Sequence, residues 1–290
     1  MKKLLLTAVA FTAVVLPAMA ADLAPVYKAP PPPPPPSWTG FYLGGTVGGI
    51  FTNNSVDVTT TNTANNISGN LSALGLTAGP ASAAAATSSV GAGWSSLAGG
   101  AELGYNWQVA PTLLLGLEAD IQGIADPGGP SALSNVVARD AVRFPGFNYA
   151  ATISATDKVN WLGTARGRLG FLVTPTWLVY GTGGLAYGDV SSSTAITGGE
   201  TPNTGATNIA GAGSLSSTRV GWTVGAGAEY MFLPNWTVKA EWLHYDLGSA
   251  SYSNGTMTSF AGGVPAFTDV ASSTVKFSGD IVRGGINYKF

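Results

Sequence analysis

No cysteine occurs among the 290 residues, and there is a single histidine, His244. The first absence excludes disulfides and a lipid-carrying cysteine. The two together exclude a metal centre built from a histidine/cysteine cluster. Charge is scarce as well: 10% of residues are Asp, Glu, Lys or Arg, against about 25% in ordinary soluble domains. Beyond the first twenty residues no apolar run is long enough for a transmembrane helix. The other structure that satisfies every backbone group inside lipid is a closed β-barrel. Scattered basic residues and a net charge of −2 leave no footprint for nucleic acid.

What the chain does have is alternation. Across 161–188, WLGTARGRLGFLVTPTWLVYGTGGLAYG, apolar and polar residues change places every second position and the chain turns at Pro175. Val159, Trp161, Ala165, Leu169 and Phe171 share one parity; Lys158, Asn160, Thr164, Arg166 and Arg168 take the other. A period of two means a strand with one apolar and one polar face. Similar units turn at Pro111 and Pro234. Proline suits a strand end because it cannot donate to the ladder. Each unit is therefore a hairpin with arms of about ten residues, enough to cross a bilayer at a steep tilt.

The N-terminus reads as two segments. Residues 1–20 carry Lys2 and Lys3, an apolar core from Leu4 to Leu16, and Ala18-Met19-Ala20. That is the pattern of a secretory signal peptide cleaved after Ala20. Residues 21–37 include seven consecutive prolines ending at Pro36, which form a stiff polyproline II rod. A spacer is the simpler role for it; periplasmic or cell-wall contact is the sharper one.

Residues 38–290 yield eight strands, three short turns and four long loops. The first strand starts at Trp38, with its aromatics in an interfacial girdle. Others are expected near 93–109, 112–123, 158–173, 177–188, 218–232, 236–246 and 277–290. The intervening 52–92, 125–155, 191–217 and 249–274 are rich in Ser, Thr, Ala, Gly and Asn and are expected to be mobile. Short turns on one side and long loops on the other predict an all-β, eight-stranded antiparallel up-and-down transmembrane barrel. A soluble β-sandwich would show charges on its outer face and less lopsided turns. Gly-rich runs such as Gly44-Gly45 and Gly183-Gly184 lie within strands, lack a following helix, and are not phosphate loops.

Parity places Glu102, Glu118, Asp120, Lys158, Arg166, Arg168, Arg219, Glu229, Lys239, Glu241, Arg283 and Lys289 toward the lumen. Eight strands enclose room only for their own side chains, and buried charges survive when paired. A lumen closed by ion pairs is expected; a charged constriction for small solutes is the alternative. Catalysis has little to stand on. A barrel deacylase needs a serine nucleophile and a histidine base, with serine two residues after the histidine, where Asp246 stands. His244, beside Trp242 and Tyr245, reads as an interfacial residue. No catalytic residue, cofactor site or metal site is assigned.

The leader, the A-D-L that follows Ala20, the proline tract and W-T-G-F-Y-L-G-G at 38–45 resemble the small outer-membrane β-barrel proteins of Gram-negative bacteria called the porin family. These are related to the OmpA-like eight-stranded transmembrane barrel. The final I-N-Y-K-F, with Tyr288 and Phe290, is similar to the terminal signal read by the outer-membrane assembly machinery. The resemblance implies a monomer in the cell outer membrane, surrounded by lipid and lipopolysaccharide. It implies a role in envelope integrity and at the surface. Beside that stand porin-like diffusion, host-surface binding, and capture of a ligand such as hemin by a loop. Arg139, Arg143, Phe144, Phe147 and Tyr149 in the second loop are the residues such a ligand would use.

Overall fold

The computed structural model describes residues 36–65, 72–138, 146–201, 208–261 and 264–290. The expected leader with its cleavage point at Ala20, and the proline segment up to residue 35, lie outside the described residues. Eleven strands and one helix follow in order: β1 (Gly40–Thr52), β2 (Ser55–Asn65), α1 (Ser72–Ala85), β3 (Ser88–Gly91), β4 (Ser95–Ala110), β5 (Leu113–Ile124), β6 (Pro130–Ala138), β7 (Asn148–Thr174), β8 (Trp177–Thr201), β9 (Ile209–Leu233), β10 (Trp236–Ala261) and β11 (Val264–Lys289).

Eight of these strands close a ring. The antiparallel order is β1-β4-β5-β7-β8-β9-β10-β11, and β11 returns to β1 from Tyr42↔Lys289 to Thr52↔Gly279. Two-residue turns at Pro111, Pro175 and Pro234 join β4 to β5, β7 to β8 and β9 to β10. The outside of the ring is apolar: Leu103, Leu117, Leu169, Leu185, Val220 and Val282 are each more than half exposed. Tyr105–Trp107, Trp177–Tyr230 and Trp236–Tyr288 ring pairs mark the end near the turns. Trp161–Tyr187 and Trp222–His244 mark the other. Aromatic girdles of this kind belong at the two membrane interfaces.

The connections expected to be mobile loops are largely strand. β7 to β11 run for 25 to 27 residues, more than twice what a bilayer requires. β2, β3 and β6 fill the sector above β1, β4 and β5. The upper structure consists of two four-stranded leaves, β6-β7-β8-β9 and β10-β11-β2-β3. The alternation responsible was present but faint. Ala151, Ile153 and Ala155 face inward and Thr152, Ser154 and Thr156 outward, a contrast of small residues that hydropathy barely registers. The inner faces and α1 share one apolar core that includes Val58, Ala85, Ile153, Ile196, Met257 and Phe267.

Two details set the geometry. β7 carries a bulge between Val159 and Trp161 opposite β8, where one extra residue enters the ladder and inverts the parity of everything before it. β9 and β10 stop pairing at Trp222↔Asp246. There Gly248, at φ +77, lets β10 swing away, and its N–H donates to Asp246 Oδ1 at 2.7 Å.

Candidate functional site

The interior of the ring is filled in three layers. At the turn end, Trp38, Leu114, Leu172, Leu178, Tyr180 and Met231 form an apolar floor. Trp38 is 1% exposed and its indole N–H donates to Pro175 O at 3.0 Å. Trp38 was expected in the outer girdle together with its neighbours. The structure instead turns Trp38 and Tyr42 inward and leaves Phe41 outside, because alternation along β1 sends Tyr42 to the face opposite Phe41 and Leu43, and Trp38, before the strand, folds under the barrel end.

The middle layer is a charge network. Arg166 Nη2 donates to Glu118 and, at 2.8 Å, to Asp120; its Nη1 reaches Glu241 at 2.9 Å. Arg168 donates to Glu229 at 2.7 Å and to Tyr42 Oη at 2.8 Å, with its guanidinium 3.9 Å from the Tyr180 ring centroid. Lys239 lies 2.5 Å from Glu102 and 3.2 Å from Glu118. Arg283 reaches Glu241 at 2.6 Å and Asp120 at 2.8 Å. All these side chains are essentially sealed from solvent. Nine of the expected lumen charges therefore meet in one cluster of four cations and five carboxylates. Neutral donors offset the excess of acid. Tyr42 donates to Glu118 at 2.6 Å, Thr164 to Asp120 at 2.8 Å, Thr237 to Glu229 at 2.5 Å and Tyr180 to Glu241 at 3.1 Å. Thr164 was expected on the polar face and Tyr42 in the girdle; Thr237 and Tyr180 were not singled out, although inward parity marks them.

Three expected members lie elsewhere. Lys158 sits before the β7 bulge, so it faces outward and Asp157 takes the inner position with no exposed surface. Arg219 faces inward but at the height where β9 and β10 separate. It donates to Leu247 O at 3.1 Å and Ser249 O at 2.6 Å, replacing ladder bonds that the diverging strands lose. Lys289 lies at the turn-end rim, where its ammonium donates to Ser37 O.

The third layer is the upper core, where α1 packs against the inner faces of β2, β3 and the neighbouring strands. Val56, Val58, Ala78, Ala85 and Val90 belong to the upper core. Gly104 shows how closely the layers fit: a Cβ there would come within 2.3 Å of the Tyr42 ring.

Of the ligand residues suggested for the second long connection, Phe147 is half-buried and Tyr149 lies in the core. Tyr149 is fully buried, its ring edge-on to Phe267 at 6.2 Å, and Arg139, Arg143 and Phe144 lie outside the described residues. His244 faces the outer interface, with Nδ1 3.1 Å from Asp280 and its ring 5.5 Å from Trp222.

Comparison with known proteins places the barrel among its relatives. The family described as outer membrane protein beta-barrel domain matches residues 6–290. The chain is 38% identical over 192 residues to a 31 kDa outer-membrane immunogenic protein of Brucella melitensis, covering 66% of this chain and 65% of that protein's length. It is 30% identical over 159 residues to a 22 kDa outer membrane protein of Rhizobium leguminosarum bv. viciae, covering 52% of this chain and 56% of that one. OprG of Pseudomonas aeruginosa is similar at 10% identity and a TM-score of 0.37, over 87% of this chain and 96% of that chain, too distant to bear on function.

Proposed function

The chain belongs to the outer membrane protein beta-barrel family and resides in the cell outer membrane, and from that premise we propose that it acts as a closed barrel that braces the envelope and presents a surface rather than as a pore. The observation that carries this reading is the filled interior: an apolar floor, a sealed charge network and an apolar upper core around α1 follow one another. A conducting barrel needs a continuous polar path, and the apolar floor and upper core both interrupt it. The Brucella relative's name marks it as immunogenic, which accords with presentation of the upper strands at the surface. Partners follow from the same faces. The apolar belt contacts lipid and lipopolysaccharide, and Tyr288 and Phe290, both exposed, suit recognition by the assembly machinery.

Planar-bilayer recording of the refolded protein tests the reading, with folding verified by a mobility difference between heated and unheated samples. Silence at neutral pH is expected. Deleting residues 55–90 should not open it either, because two layers remain below. Steady openings of the unaltered protein would replace this reading with a diffusion channel whose selectivity lies in the charge network.

A further inference from the structure

The segment between β1 and β4 is held to the barrel wall by the β2–β11 ladder, from Val56↔Val275 to Asn65↔Phe267, and by two carboxylates, Asp157 on β7 and Asp269 on β11, neither with any exposed surface. At its base, Asn54 Nδ2 donates to Asp157 Oδ2 at 2.8 Å, and Asn54 Oδ1 accepts from the Ser278 N–H at 3.2 Å. Higher up, Asn62 Nδ2 donates to Asp269 Oδ1 at 2.9 Å and Ser82 Oγ to Oδ2 at 2.7 Å. Every one of these side-chain donors belongs to that segment and is neutral; the Lys158 backbone N–H of β7 also bonds Asp157. Asp157 Oδ1 has no partner. Among the described residues no lysine or arginine forms an ion pair with either aspartate.

The surroundings add no compensating charge. Tyr245 of β10, whose buried hydroxyl is also unpartnered, is the titratable side chain that feels Asp157. Lys158 is turned outward, and Asp280 is engaged with His244 on the outer face. Around Asp269 the titratable neighbour is Tyr149 of β7, which also feels Glu200 of β8. Both aspartates stand above the outer aromatic girdle, beyond the membrane. A carboxylate stripped of water with so few donors is costly, whereas a neutral carboxyl is tolerated and can itself donate.

We propose that the segment between β1 and β4 is a proton-controlled latch: with Asp157 and Asp269 protonated it is held fast against β7 and β11, and their ionisation loosens it. Burial pushes Asp157 from an ordinary 3.8 up to about 6, and raises Asp269 in the same direction. Between those two values the closed form keeps a proton on Asp157 that the released segment would give up. The hold is therefore complete below about pH 4 and is lost as pH rises through about 6.

Amide hydrogen exchange of the full refolded protein, measured at pH 5 and pH 8 and corrected for intrinsic rates, reads the latch directly. Peptides covering 54–65 and 81–92 should lose protection at pH 8, by up to roughly a hundredfold for two units of displaced titration. Asp157→Asn, neutral and nearly isosteric, should remove most of that loss, and Asp157→Asn with Asp269→Asn all of it. Equal protection of the unaltered protein at both pH values would overturn the proposal, as would a double variant that keeps the full loss. Should the double variant fail to fold, Asn54→Ala decides: lower protection at both pH values is expected, and unchanged protection overturns the tie.

Discussion

Arg166 sits where three carboxylates converge, and its removal leaves Glu118, Asp120 and Glu241 facing one another without its charge. Breaking a buried ion pair from one side costs about 3–5 kcal/mol, because the partner's lost hydration is no longer offset. Arg166→Met should therefore lower the unfolding free energy of the refolded barrel in lipid vesicles by an amount of that order, read as a lower urea midpoint at unchanged slope. Lys239→Met combined with Glu102→Gln removes charge from both sides of a 2.5 Å pair and should cost clearly less than the two single changes added together. Equal costs would mean that the network is not coupled. At this scale the sequence was readable wherever strict alternation holds: Glu118, Arg166, Glu241 and Arg283 all sit on the face that parity assigns. It misled at Lys158, because a bulge adds one residue without any compositional mark. It pointed Arg219 inward but gave no sign of its partners, which are backbone carbonyls.

The β7 bulge is itself testable as an element. Val159 pairs with Val190 and Trp161 with Asp189, leaving Asn160 as the extra residue, exposed and bonded to Asp189 at 2.8 Å. Deleting Asn160 should be tolerated, since Val159 stays inward and Trp161 outward. Deleting Thr164 should not be, since it forces every residue on one side of the gap to the opposite face. Heat-modifiable mobility on gels separates the outcomes: folded barrel for the first deletion, none for the second. The hairpins turning at Pro111, Pro175 and Pro234 were plain in the sequence because Leu, Trp and Val contrast with Arg, Glu and Thr. The upper strands were not, because Ala against Ser carries the same alternation with little difference in hydropathy. Their pairing is specified by long-range neighbours that composition does not reveal.

At the scale of the whole molecule, the ring in the membrane and the two leaves above it use the same long strands: β7-β8-β9 and β10-β11 stay paired through both levels, while β7 exchanges β5 for β6 and β11 exchanges β1 for β2. Eight strands close at the lower level, and β2, β3 and β6 take the places of β1, β4 and β5 at the upper one. The short turns point one way and the strand tips the other, so the outer-membrane rule of short periplasmic turns orients the protein. Strands of about 25 residues rise roughly 80 Å along their length. A tilt of about 40° leaves roughly 60 Å of height, of which the apolar belt takes about 25 Å. Some 35 Å therefore stands above the lipid, about the thickness of a further bilayer. An epitope tag in the β10–β11 connection should accordingly be stained on intact cells, while the same tag at the Pro175 turn should stain only after the envelope is opened. On that orientation, a particle approaching from outside would reach the tips of these strands before it reached the lipid around the ring.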